Sequence, residues 1–199
     1  MDRVVLASNN PGKLRELTAL LKPLGIDAMP QSDFAAGEAE EPHSTFLENA
    51  LAKARHAANV TGLPALADDS GLCVPALFGE PGVHSACYAG REGGREERDA
   101  RNNAKLVEQL RFANDRSAFY YCVLVLLRHV DDPTPVVADG TWHGEIVLTP
   151  QGLNGFGYDP HFRVRGAHLT AAQFDPAEKN RVSHRGQALA ALAAKLRAP

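Results

Sequence analysis

Ser8-Asn9-Asn10-Pro11-Gly12-Lys13 gathers a hydroxyl, two amides, a helix-starting proline and a lysine directly after an apolar run. Hydroxyls and amides donate hydrogen bonds. A helix N-terminus adds unpaired backbone N–H groups and the positive end of a dipole, and Lys13 brings a full charge one turn in. This is the chemistry of an anion site; its plain alternative is an N-cap at Asn9 or Asn10 with Lys13 in solvent. It is not the glycine-rich phosphate loop that ends in Gly-Lys-Ser/Thr, because Leu14 follows Lys13. Two acidic doublets, Glu40-Glu41 and Asp68-Asp69, come next. Carboxylates in such places converge on a hard cation such as Mg²⁺, which keeps several waters and bridges to phosphates. A carboxylate beside that cation accepts a proton from an attacking water. Read as plain structure, Asp68-Asp69 starts a turn before Ser70-Gly71, and Glu40-Glu41 belongs to a solvated loop.

Phe156-Gly157-Tyr158-Asp159 sets aromatic rings on a glycine-flexed loop beside a carboxylate. A ring there is a platform for a flat base, and the carboxylate accepts from base N–H groups; the alternative is that Phe156 and Tyr158 cap the core. Lys179 and His184-Arg185 place donors ahead of the last helix, able to read a base carbonyl or simply to solvate a helix entry.

The elements that must position these groups are legible in outline. Arg3 to Ala7 reads as a buried strand, and Pro11 to Leu21 as a helix with Leu14, Leu17, Leu20 and Leu21 on one face. Residues 33 to 48 hold Asp33, Glu38, Glu40, Glu41 and Glu48 without a lysine or arginine, an acidic loop running into Thr45-Phe46-Leu47-Glu48. That tetrad is a capping box, opening a helix to about Val60 that Gly62 and Pro64 end. Ala65 to Ala67 reads as a short strand stopping at the acidic pair, and Leu72 to Leu77 as a second extended segment. A charged loop from residue 90 leads into a helix from about Arg98 to Leu110. Phe119 to Val130 and Val136 to Leu148 are long strands about the turn Asp131-Asp132-Pro133, and Gly186 to Leu196 is a helix. Strands alternating with helices, together with long hairpin-like strands, predict an α/β fold with a mixed sheet.

The 199 residues suit one domain or two closely joined lobes, without an interdomain linker. The formal charge of −3 argues against a nucleic-acid binder. The first hundred residues carry 9 basic and 15 acidic groups and the remainder 12 and 9, which suits an anionic ligand held partly through a metal and partly by cations, or uneven solvation. The longest apolar run, Ala118 to Leu127, is too short to span a bilayer, and polar residues interrupt the N-terminus too early for a signal peptide, so a cytoplasmic protein is expected. Cys73, Cys87 and Cys122 suggest neither a disulfide framework nor a zinc site; Cys73 and Cys122 read as small buried hydrophobes.

Together the motifs resemble the inosine triphosphate pyrophosphatase family, the bacterial dITP/XTP pyrophosphatases. The matching stretches, in order, are Ser8 to Lys13, Glu40-Glu41, Thr45 to Ala50 with Lys53-Ala54, Ala67 to Leu72, Pro81 to Ser85, Gly155 to Pro160, and Glu178-Lys179 with Ser183 to Gly186. The resemblance implies a long mixed β-sheet flanked by helices, two lobes with an active-site cleft between them, and a homodimer. It implies that Ser8, Asn9, Asn10, Pro11, Gly12, Lys13 and Lys53 hold a triphosphate, that Glu41 and Asp69 bind Mg²⁺, and that Asp69 is the proton acceptor for water. Ser70, Phe156, Gly157, Tyr158, Asp159, Lys179, His184 and Arg185 match the remaining substrate contacts. The implied reaction is hydrolysis of deaminated purine nucleoside triphosphates to monophosphate and pyrophosphate. Rival readings are a related pyrophosphatase that reads another base and a nucleotide sensor without turnover. One departure stands out: many relatives carry arginine where this chain has Cys87, and nearby Arg91 is a candidate substitute.

Overall fold

The computed structural model describes residues 2–34, 36–37 and 39–197; Glu38, counted above in the acidic loop, lies outside them. Arg3–Leu6 (β1) pairs in parallel with Asp27–Pro30 (β2) on one side and with Ala65–Cys73 (β3) on the other. Parallel neighbours need crossovers, supplied by the helices Pro11–Leu21 (α1) and Phe46–Thr61 (α2). Arg95–Gln109 (α3) precedes Ser117–Leu127 (β4) and Val136–Ile146 (β5). Phe162–Val164 (β6) lies antiparallel to β5, and Pro176–Val182 (α4) and His184–Arg197 (α5) follow. Among the described residues six strands form one sheet in the order β2-β1-β3-β4-β5-β6, mixed as expected.

Two compact units divide the chain. The first takes the residues up to Asp69, Cys122–Gly140 and those from His184 onward; the second takes Ser70–Tyr121 and Thr141–Ser183. The first unit has an aliphatic core in which Leu17 and Leu21 of α1, Leu66, Leu124 and Leu126 of the sheet, and Leu189 and Leu192 of α5 are buried together. The second is aromatic: Tyr120 and Phe162 lie 4.7 Å apart, and Trp142 meets Phe162 at 5.6 Å and Phe174 edge-on at 5.8 Å. Tilted and edge-to-face geometries suit ring quadrupoles better than a face-to-face stack.

The helix starts follow their caps. Thr45 accepts the Glu48 N–H and donates to its carboxylate at 2.6 Å, so α2 opens where the capping box predicts. Asp132 accepts the N–H groups of Arg128 and Thr134, holding the expected turn between β4 and β5. Elsewhere the expectations need correction. The acidic pair is not at a turn, because β3 runs unbroken from Ala65 to Cys73 with both aspartates in its interior. Burial of both carboxylates is sustained by cations, described below, so the chain has no need to turn them to water. Pro75–Leu77 is a 3₁₀ turn rather than extended chain. α3 starts three residues early, since the Glu97 carboxylate accepts the Gly94 N–H and makes the charged run a first helical turn. β2, β6 and α4 are too short to have shown a periodic signal. Cys73 and Cys122 are buried as expected, and all three cysteines are free. No helix among the described residues is long and apolar enough to cross a membrane.

Candidate active site

In the first unit, β1 ends at Leu6 and Asn10 turns the chain into α1. The Asn10 side-chain oxygen accepts the N–H groups of Gly12 at 2.9 Å and Lys13 at 3.1 Å, and Ser8 Oγ accepts the Asn10 N–H at 3.2 Å. Asn10 is therefore the N-cap. The N–H groups expected to be open to an anion are already satisfied, so an anion at this turn meets Lys13 and the Ser8 and Asn9 side chains or displaces the Asn10 amide. Asn9 accepts from the Gln31 amide at 3.1 Å.

Successive side chains of a strand point to opposite faces, so placing Asp68 and Asp69 inside β3 separates them. Asp68 is paired with Lys13 through Oδ1, and its Oδ2 accepts from Arg185 Nε at 2.8 Å and from the Cys122 thiol at 3.1 Å. Arg185 is also paired with Glu16 of α1. Burial alone would raise the Asp68 pKa, but Arg185 and Lys13 outweigh it and hold the carboxyl well below the usual range. Asp69 takes the other side. Its Oδ1 accepts from Lys53 Nζ at 2.7 Å, and Lys53 lies 2.6 Å from Glu41 Oε1. Asp69 Oδ2 is buried without a hydrogen-bond partner among the described residues. Burial raises the Asp69 pKa, Lys53 and Lys13 offset that rise only in part, and Glu41 adds to it. Of two adjacent aspartates one is thus a locked anion and the other a carboxylate with raised proton affinity and an unpartnered oxygen.

The donor set fits a divalent cation of modest protein ligation. Among the described residues no group of three or more His, Cys, Asp and Glu side chains converges as a metal cage. Mg²⁺ does not require one, since it takes one or two carboxylates and leaves its other positions to water and phosphate. Glu41 and Asp69 already converge on one positive centre, the Lys53 ammonium, and Asp69 Oδ2 is the unpartnered acceptor such an ion would use.

In the second unit the loop Gly155–Asp159 is braced by its own carboxylate. Asp159 Oδ2 accepts the Phe156 N–H at 2.8 Å and a bond from Lys179 Nζ at 2.7 Å. Gly155 has φ +78°, and a Cβ there would sit 2.1 Å from Asp159 Oδ2, so this close wrap requires glycine. The half-buried Phe156 ring has Arg95 at 4.8 Å and Lys179 at 5.0 Å from its centroid. Tyr158 is buried, its hydroxyl donating to the Ser85 carbonyl at 2.8 Å, which matches the core-capping alternative for that ring. Ser70 is half-buried in β3 directly after Asp69.

In the first unit again, His184 and Arg185 are buried at the start of α5, and the Arg185 guanidinium belongs to the largest fully buried side chain. The structure thus gathers Lys13, Asp68 and Arg185 in one cluster and Glu41, Lys53 and Asp69 in another, both in the first unit. Phe156, Asp159 and Lys179 form a third cluster in the second unit. Sequence reasoning missed Glu16, which closes on Arg185, and Arg95 and Asp99 of α3, the latter accepting the Gly157 N–H at 3.1 Å. The available signal was the spacing Arg95, Asp99, Asn103, one face of a helix that begins three residues before the predicted start.

Comparison with known proteins places the chain. Residues 4–195 match the model of the Ham1 family. The chain belongs to the Ham1 family. It is 65% identical over 195 residues to the dITP/XTP pyrophosphatase of Burkholderia pseudomallei, covering 98% of this chain and 93% of that protein. It is 63% identical over 198 residues to the dITP/XTP pyrophosphatase of Bordetella pertussis, covering 100% and 92%. A solved Ham1 protein from Coxiella burnetii superposes with a TM-score of 0.89 at 50% identity, covering 98% of each chain. The mixed sheet with flanking helices is thus the Ham1 fold. At the departure noted above, Cys87 is half-buried, and the neighbouring Tyr88 is held by a cation: Lys105 donates to its carbonyl at 2.7 Å and lies 3.9 Å from its ring centroid. Arg91, the suggested substitute, is exposed, and its carbonyl accepts from Arg98.

Proposed function

We propose that this Ham1 protein hydrolyses deaminated purine nucleoside triphosphates, dITP or ITP and XTP or dXTP, to the monophosphate and pyrophosphate. On this reading it clears the cytoplasmic nucleotide pool, uses Mg²⁺ and works as a homodimer whose whole chain serves one catalytic function. The observation that carries the reading is the Asp69 arrangement: a buried carboxylate with one oxygen unpartnered among the described residues, beside Lys53 and Glu41. The names of the relatives at 65% and 63% identity support the substrate class.

Asp69 accepts the proton of the water that attacks the α-phosphorus, a role suited to a carboxylate fixed beside the Lys53 ammonium. Lys13 and Lys53, with the Ser8–Gly12 turn, hold the triphosphate and stabilise the charge on the departing pyrophosphate. Glu41 and Asp69 would hold the Mg²⁺, which when bound supplies further neutralisation of phosphate charge. Asp68 touches neither water nor metal in this scheme; it orients Lys13 and Arg185. No side chain forms a covalent bond to the substrate.

Base choice follows from donors and acceptors. Ser70, the Phe156–Asp159 loop, Lys179, His184 and Arg185 receive the nucleoside, with Phe156 as the stacking surface. A donor from His184 or Arg185 pairs with the 6-carbonyl of hypoxanthine or xanthine and leaves the adenine amino group facing another donor. Such a mismatch costs roughly 1–3 kcal/mol, enough for about tenfold discrimination or more.

The test is pyrophosphate release from dITP, XTP, dGTP, dATP and dTTP with and without Mg²⁺. Mg²⁺-dependent release from dITP and XTP well above the rest is expected. Release from none would favour a nucleotide sensor, preference for dTTP a pyrimidine enzyme, and equal release from dITP and dGTP would refute the pool-cleansing role.

A further inference from the structure

We infer that Asp99 and Asn103 of α3 are positioning residues for nucleoside affinity, clamping the Phe156–Gly157 backbone so that the Phe156 ring is held ready for the base. The inference rests on the proposed reading of Phe156 as the stacking surface.

The Gly157 peptide groups are held from both sides by one helix face. Asp99 Oδ2 accepts the Gly157 N–H at 3.1 Å, and Asn103 Nδ2 donates to the Gly157 carbonyl at 2.9 Å. The same Asn103 amide donates to the Asp99 carbonyl at 2.8 Å, tying the two residues to one turn of α3. On the other side, Asp159 Oδ2 accepts the Phe156 N–H at 2.8 Å. Three hydrogen bonds therefore fix two consecutive residues. Gly157 has φ +61°, a conformation open to glycine and otherwise lightly populated, so without these partners the loop has wide alternatives.

Asp99 also faces Arg95 Nε at 3.8 Å, and Arg95 lies 4.8 Å from the Phe156 centroid. One carboxylate thus holds the loop backbone and the cation on its ring. The clamp touches no group assigned to the phosphates, the metal or the attacking water. Its loss would lower the fraction of molecules with Phe156 in place, and apparent affinity falls with that fraction while chemistry in the bound complex does not.

The experiment compares Asp99→Ala, Asn103→Ala, the double variant, Asp99→Asn and Phe156→Ala, each checked for a native circular dichroism spectrum. KM and kcat are measured for dITP, and inhibition by inorganic tripolyphosphate supplies a probe with phosphates and no base. Asp99→Ala and Asn103→Ala are each expected to raise the KM for dITP about threefold to tenfold, the range for one lost hydrogen bond. The kcat and the tripolyphosphate Ki should stay within about twofold. Asp99→Asn keeps an acceptor for the Gly157 N–H and should recover most of the affinity. Unchanged KM in the double variant overturns the clamp, as does a tripolyphosphate Ki that weakens in step with dITP. If Phe156→Ala leaves the dITP KM unchanged, the stacking role itself fails; if Phe156→Ala raises KM and the α3 variants do not, only the clamp fails.

Discussion

Replacing Asp68 with asparagine should destabilise the protein severely, because it removes the centre of a buried alternating row of charges. Lys13, Asp68, Arg185 and Glu16 sum to zero, with side-chain exposures of 14%, 0%, 2% and 14%. The amide would keep the shape and some hydrogen bonding while taking the Asp68 anion from both Arg185 and Lys13. Removing one partner of a buried pair costs about 3–5 kcal/mol. For a chain of this length roughly 2–4 °C of melting temperature goes with each kcal/mol, so a fall of about 6–20 °C is expected. Glu16→Gln should cost less, about 1–3 kcal/mol, since Arg185 retains Asp68. The sign with pH follows from the Asp68 shift. Its folded pKa lies well below the ordinary carboxylate value of 3.8, so its contribution is complete above about pH 4 and is lost as pH falls through the depressed value. The gap between parent and Asp68→Asn should be full at pH 7 and narrow toward pH 2. Urea denaturation at several pH values reads this directly, and Asp68→Asn/Arg185→Gln completes a double-mutant cycle. A single variant melting within about 2 °C of the parent, or a double variant equal to the sum of the singles, would refute the row as a coupled unit.

Asp69→Asn should retain the fold and lower kcat by roughly 10²–10⁴-fold in a pyrophosphate-release assay, the span for loss of a positioned general base. In metal-free protein the Asp69 carboxyl should titrate above 3.8 by carbon NMR, and Glu41→Gln should bring it down, since Glu41 contributes to the rise; a midpoint at or below 3.8 would contradict the assigned role. Gly140→Ala should destabilise by about 1–3 kcal/mol and lower kcat/KM, because the new Cβ would stand 2.2 Å from the His184 carbonyl oxygen and 2.7 Å from the Ala188 nitrogen, displacing the start of α5 with Arg185; parent-like melting would show that α5 tolerates the shift. Iodoacetamide at pH 8 should add one group to native protein, at Cys87, since burial pushes the Cys73 thiol up to about 11 and holds Cys122 well above the ordinary thiol value; mass spectrometry showing adducts at Cys73 or Cys122 would sink the assignment.

Local physics was legible in the sequence. The Asn10 cap, the Thr45-Glu48 capping box and the turn at Asp132 involve partners two to four residues apart, and each was visible as a short motif. The same reading failed at β3 because aspartates beside Ser-Gly favour a turn by propensity. Lys13, Arg185 and Lys53 reverse that preference by neutralising carboxylates from elsewhere in the chain. The sequence pattern places the start of α3 late because a run of charges has the composition of a loop, and the Gly94–Glu97 cap turns it into helix.

The sequence by itself determined which groups were available: Lys13 and Lys53 in an acidic first half, the doublets Glu40-Glu41 and Asp68-Asp69, and an aromatic ring on a glycine loop. It also determined the helices that carry many of them, since caps and periodicity act within a few residues. Only the tertiary structure decided what each group does. Asp68 and Asp69 are adjacent and chemically identical, yet strand alternation turns one toward Arg185, 117 residues away, and the other toward Lys53. Charge partners set which of the two stays a fixed anion and which gains proton affinity, and those partners are long-range contacts made by the fold. The hold of α3 on Gly157, across 58 residues, has the same origin.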